Sequence, residues 1–139
     1  MKLATYLALL GFSKASICGL TESGATRSTA DNQIIENLYI LATPTDETAL
    51  RIFHENVTIS NVVIHHAAST RGLFGWKPHG LKIENLEVVA YGVHESGPNP
   101  CPSRMPFMGY NCANVIIYKA DNVVAENVRV EGGSKGFSL

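Results

Sequence analysis

Residues Asn56–His66 read NVTISNVVIHH, and His79–Tyr91 read HGLKIENLEVVAY. Each alternates apolar and polar residues, pauses at an Asn, and alternates again. Aligned on that Asn, the chain shows four such registers: IIEN at Asn37, TISN at Asn61, KIEN at Asn85 and VAEN at Asn127. The first three are evenly spaced, with a period of about 24 residues, and the step to Asn127 is longer. That last step equals one ordinary period plus an insertion, which fits the segment between His94 and Asn114.

The register extends to both sides of the Asn. Two positions before it stand Ile35, Ile59, Ile83 and Ala125; one after, Leu38, Val62, Leu86 and Val128; three after, Ile40, Ile64, Val88 and Val130. Alternation with period two on either side predicts two short strands, each with one buried face. A third strand precedes each pair: Ala49–Phe53, Leu73–Trp76 and Val115–Tyr118. Repeats of three strands and three turns coil into a solenoid whose rungs stack ~4.8 Å apart. At the corner, Asn tolerates the left-handed backbone that β-branched residues resist, and stacked amides can bond from rung to rung. The expected fold is all-β: one solenoid of about four coils, each of roughly 24 residues, over positions 19–139.

NVTISNVVI, GLKIENLEVVAYG and NVVAENVRVEGG resemble the repeats of right-handed parallel β-helix proteins of the pectate-lyase-like superfamily, over Asp31–Leu139. That resemblance is specific for architecture. The superfamily contains polysaccharide lyases, glycoside hydrolases, epimerases and non-catalytic surface proteins. It implies a secreted, carbohydrate-active protein, a lyase or hydrolase of acidic polysaccharide; the alternative is a non-catalytic module binding glycan or protein, or an inactive truncated fragment.

Bulk properties agree with a secreted β-protein. The 139 residues suffice for one domain, and a net charge of −1 without a basic block argues against a nucleic-acid partner. Lys2, the apolar run Leu3–Phe12 and the small residues after it have the layout of a signal peptide over residues 1–18, too short to span a bilayer. Asn56-Val57-Thr58 is an N-glycosylation sequon. Cys101 and Cys112 share the Pro/Gly-rich long loop at positions 93–113, where a disulfide would close a small ring; two free thiols are the alternative. Ser134–Phe137 matches Thr70–Leu73, the opening of an earlier coil, so the chain reads as an incomplete solenoid or one whose open end meets a partner or a second copy.

In enzymes of this resemblance the site lies on an outer face walled by long loops. β-Elimination on a uronic acid needs a cation beside the carboxylate, a base for the C5 proton and an acid for the leaving oxygen. Arg71 and Lys135 hold equivalent places before a Gly, and His65 is the outward member of His65-His66, so these three are the catalytic candidates. Arg51 and Trp76 on first strands, with Arg104 and Tyr110 in the long loop, are the substrate-binding candidates. Each also has a plainer reading, as a solvated turn residue or as packing against neighbouring coils. Glu84 and Glu126 share an outward column with Glu36 and form the candidate Ca²⁺ site, unless Lys82 neutralises them. Glu87 and Arg129 share another outward column, as a rung-to-rung ion pair.

Overall fold

The computed structural model describes residues 19–91, 113–132 and 135–139 (Lys135 by its backbone alone). The signal-peptide segment, Arg104, Tyr110, Cys101 and Cys112 lie outside the described residues. Ten strands follow one another: β1 (Thr21–Ser23), β2 (Thr26–Arg27), β3 (Ile34–Leu41), β4 (Thr48–Ile52), β5 (Thr58–Ala67), β6 (Arg71–Trp76), β7 (Lys82–Tyr91), β8 (Ala113–Tyr118), β9 (Val124–Glu131) and β10 (Lys135–Ser138). Odd strands form one sheet, β1-β3-β5-β7-β9, and even strands the other, β10-β8-β6-β4-β2. Every pairing is parallel, so the chain passes from sheet to sheet and climbs one rung per circuit. This is a parallel β-helix.

The columns anticipated from the Asn alignment are the pairing register. Ile35 pairs with Ile59, Ile59 with Ile83 and Ile83 with Ala125; Leu38–Val62–Leu86–Val128 and Ile40–Ile64–Val88–Val130 run alongside. Leu50, Leu73 and Val115 face them from the even sheet, and these side chains form the hydrophobic core between the sheets. Burying each such aliphatic side chain contributes roughly 1.5–3 kcal/mol, the main force holding the rungs together.

Two details differ from the sequence expectation. The second and third strands of each coil are one continuous strand, with the corner Asn inside it. Asn37, Asn61, Asn85 and Asn127 have φ of 55°, 53°, 54° and 52°, bending the strand; the pairing passes over each Asn and resumes in the same register beyond it. An extra rung also precedes the first Asn register, because Thr21–Ser23 pairs with Leu38–Ile40. Leu20 stands just before that pairing, where the other rungs place Asn, so the alignment on Asn passed over it.

A second left-handed corner lies five positions before each ladder Asn: Asn32, Asn56, Gly80 and Asn122, with φ of 61°, 54°, 70° and 58°. Backbone bonds tie it from rung to rung, Asn32 N–H to Glu55 O at 2.9 Å, Asn56 N–H to His79 O at 2.8 Å and Gly80 N–H to Asp121 O at 2.8 Å. At position 80 glycine takes the place of Asn, and a Cβ there would displace the Asn56 side-chain oxygen. The sequon Asn is therefore an exposed corner residue packed over the next turn.

Candidate functional site

On β4, β6 and β8 the inward residues leave Arg51, Phe74 and Ile116 on the outer side of the even sheet, paired in one row. The next row holds Phe53, just past the end of β4, then Trp76 and Tyr118, whose side chains remain 46%, 40% and 40% exposed. Rung spacing brings the rings together. Trp76 and Tyr118 stack at 5.0 Å and 20°, while Phe53 meets Phe74 edge-on at 6.2 Å. Cations border the strip: the Arg71 guanidinium lies 4.6 Å over Phe74, and Lys119 Nζ stands 5.4 Å from Trp76 and 5.5 Å from Tyr118. An exposed aromatic strip edged by cations is more than core packing needs.

The turn between β3 and β4 supplies a carboxylate to this edge. Asp46 Oδ2 accepts from Thr43 N–H at 2.8 Å and Thr43 Oγ1 at 2.9 Å, which folds the turn and presents Glu47. Glu47 then bridges two arginines, Arg51 Nη2 at 3.2 Å and Arg71 Nη2. Burial lowers the pKa of Arg71, Glu47 opposes the shift, and Arg51 adds to it. The guanidinium stays charged, since its ordinary pKa is so high.

Beside the strip lies a groove of about 640 Å³ lined by Thr26, Arg27, Thr29, Glu47, Thr48 and Arg51 among others. A smaller hollow of about 260 Å³ shares Arg27 and Thr29 and continues to Phe53 and His54. There Phe53 N–H donates to Ser28 Oγ at 3.0 Å, and the Ser28 hydroxyl and His54 Nδ1 share a hydrogen bond of 2.7 Å. The groove and the aromatic strip share one face.

The other sequence candidates are distributed elsewhere. His65 lies on β5 of the odd sheet and turns away from the core, as expected, but it is fully enclosed, in contact with Tyr39. Tyr39 Oη stands 3.0 Å from His65 Nδ1, with the rings edge-on at 5.1 Å. Burial, with a smaller push from His66, lowers His65 to about 4, and burial raises Tyr39. Lys135 occupies the row of Arg71 two rungs along: it pairs with Ala113, and Ala113 sits two positions before Val115, the partner of Leu73.

Glu84 and Glu126 are paired on the outer side of the odd sheet, but Lys82 Nζ lies 2.7 Å from Glu84 and its pKa is raised by that hydrogen bond. One carboxylate of the pair is thus already neutralised, a poor start for Ca²⁺, which takes six to eight oxygens. Among the described residues no three His, Cys, Asp or Glu side chains gather where a metal could bind.

Several residues of this face escaped sequence reading: Arg27, Glu47, Phe53, Tyr118 and Lys119. The signal was present for two of them. Arg27 precedes Arg51, and Glu47 precedes Arg71, by the same interval that separates Asn37 from Asn61.

No protein-family model matches the chain, and no curated protein and no solved structure matches it either. The class is therefore defined by its architecture: two parallel sheets with strands alternating between them, a β-solenoid.

Proposed function

We propose that the protein is a secreted, carbohydrate-active β-helix protein that engages acidic polysaccharide along the outer side of the even sheet. The observation that carries this reading is the row Phe53–Trp76–Tyr118, exposed and bordered by Arg51, Arg71 and Lys119. Aromatic edges and faces contact the apolar side of sugar rings, while guanidinium groups pair with carboxylates in a planar, two-point geometry. Rows one rung apart also suit an extended, repeating chain. The likeness of the repeats to pectate-lyase-like proteins points the same way at the level of fold, which by itself is a weak warrant for activity.

Binding is the better supported half of this proposal. His65 is enclosed on the other sheet, and Arg71 already holds Glu47, so the base and the cation named from the sequence do not meet. The lyase reading retains one specific support. Arg71 and Arg51 together hold the Glu47 carboxylate, and a uronate carboxylate that displaced Glu47 from between them would have its C5 proton acidified.

Affinity electrophoresis through polygalacturonate, alginate and neutral galactan separates these readings. Retardation in an acidic gel that falls several-fold in Trp76→Ala and in Arg51→Ala supports the binding face. Unchanged mobility of the wild-type protein in every acidic polymer overturns it. Ultraviolet absorbance of unsaturated uronate products, lost in Arg71→Ala, would establish the lyase.

A further inference from the structure

Arg27 and Arg51 are direct partners in the parallel register of β2 and β4, on the side of the sheet facing solvent. Both line the 640 Å³ groove. Rung spacing brings the bases of these side chains within ~5 Å of each other, close enough for one small oxyanion to contact both guanidinium groups. Two like charges directly opposite in adjoining rungs repel, and an anion between them relieves that repulsion.

The two carboxylates of the groove, Glu47 and Asp46, already hold partners other than Arg27. Glu47 reaches from Arg51 toward Arg71, on the opposite side of Arg51 from Arg27 in the rung order. Asp46 also lines the groove, but its Oδ2 holds the turn through Thr43. Among the described residues Arg27 forms no ion pair. The groove wall adds Thr26, Thr29, Thr45 and Thr48. One gap between guanidinium groups is thus filled by an internal carboxylate, and the neighbouring gap of the same kind is unfilled.

We propose that Arg27 and Arg51 form an oxyanion seat, which takes a carboxylate or sulfate-ester group of a bound glycan. Glu47 in the Arg51–Arg71 gap is the internal counterpart of that ligand. The proposal rests on the reading of this face as glycan-binding, and names the group the face selects. Bidentate recognition favours a planar or tetrahedral oxyanion over a neutral hydroxyl.

The test follows the arginine Nε–H and tryptophan indole resonances of the full chain during four titrations: oligogalacturonate, a sulfated galactan oligomer, a neutral galactan oligomer and sodium sulfate. The expected result is a joint, saturating shift of Arg27 and Arg51 with one or both acidic oligomers and none with the neutral one. Which acidic oligomer shifts them identifies the carboxylate or the sulfate ester as the group held. Arg27→Gln should weaken that binding about tenfold or more, with Arg129→Gln, on the other sheet, unchanged.

Movement of the Trp76 resonance with acidic oligomers while Arg27 and Arg51 stay still would overturn the seat and leave the glycan-binding face standing. Sulfate shifting both arginines while no oligomer binds would support the seat and overturn the polysaccharide reading. Stationary arginines in all four titrations would overturn the seat.

Discussion

Asn61 Nδ2 donates to Asn37 Oδ1 at 2.7 Å, and Asn127 Nδ2 donates to Asn85 Oδ1 at 3.0 Å. Both bonds point the same way along the helix axis. Each amide therefore serves a double purpose, relieving the left-handed backbone of its own rung and tying that rung to the one before.

Those two purposes separate by substitution. Asn61→Gly keeps the permitted backbone and removes the amide bond, and should lower stability by about 1 kcal/mol. Asn61→Val loses the bond and adds a strained β-branched residue at φ 53°, so about 2–4 kcal/mol is expected. Urea denaturation of the three proteins checks the order; equal midpoints for the two variants would show that the backbone constraint is absent.

Gly72 is a packing glycine rather than a turn glycine. A Cβ there would lie 2.5 Å from Asn114 O and 2.5 Å from Val88 Cγ1, whereas Gly24 has nothing within 4 Å. Gly72→Ala should therefore cost about 2 kcal/mol or more, and Gly24→Ala should change stability by less than about 0.5 kcal/mol. Thermal melts of the pair provide the comparison.

Stability should fall in mild acid. His65 titrates near 4 in the folded protein and near 6.5 when unfolded, and burial lowers His66 as well. Between those values the unfolded chain binds more protons, so stability rises with pH. The contribution is fully present above about pH 6.5 and is lost as pH falls toward 4, on the order of 3 kcal/mol for His65. Replacing His65 with Gln should flatten this part of a stability-against-pH curve measured by urea denaturation.

The ion pair of Arg129 with Glu87, 2.6 Å long, should matter little. Arg129 is 65% exposed and also reaches Glu131 at 3.0 Å, while burial raises the pKa of Glu87 against the opposing pull of Arg129. Arg129→Ala is expected to lose less than about 1 kcal/mol, and less again in high salt. A larger loss that persists in concentrated salt would point to packing by the Arg stem instead.

Ile35, Ile59 and Ile83 show why the inner architecture was legible in the chain. A core column repeats at the rung length, so hydrophobic period and Asn register read out the same stack twice. The Glu87–Arg129 pair came from the same alignment. The binding face was harder because it depends on the even sheet. There Leu50 pairs with Leu73 at a slightly shorter interval than Asn37 and Asn61 keep, because turns of unequal length shift the count. His65 was placed on the correct side of its strand, yet alternation reports only direction. Its enclosure depends on what packs outside the strand, which period two does not encode. Leu20 hid the first rung by standing where the other rungs place Asn.

The Asn85–Asn127 bond has a consequence for the evolution of this scaffold. It closes with ordinary geometry although far more chain separates its two ends than separates Asn37 from Asn61. The stack keeps its beat across the longer connection between β7 and β8. A junction of that kind can carry added chain while the frame beneath continues unaltered.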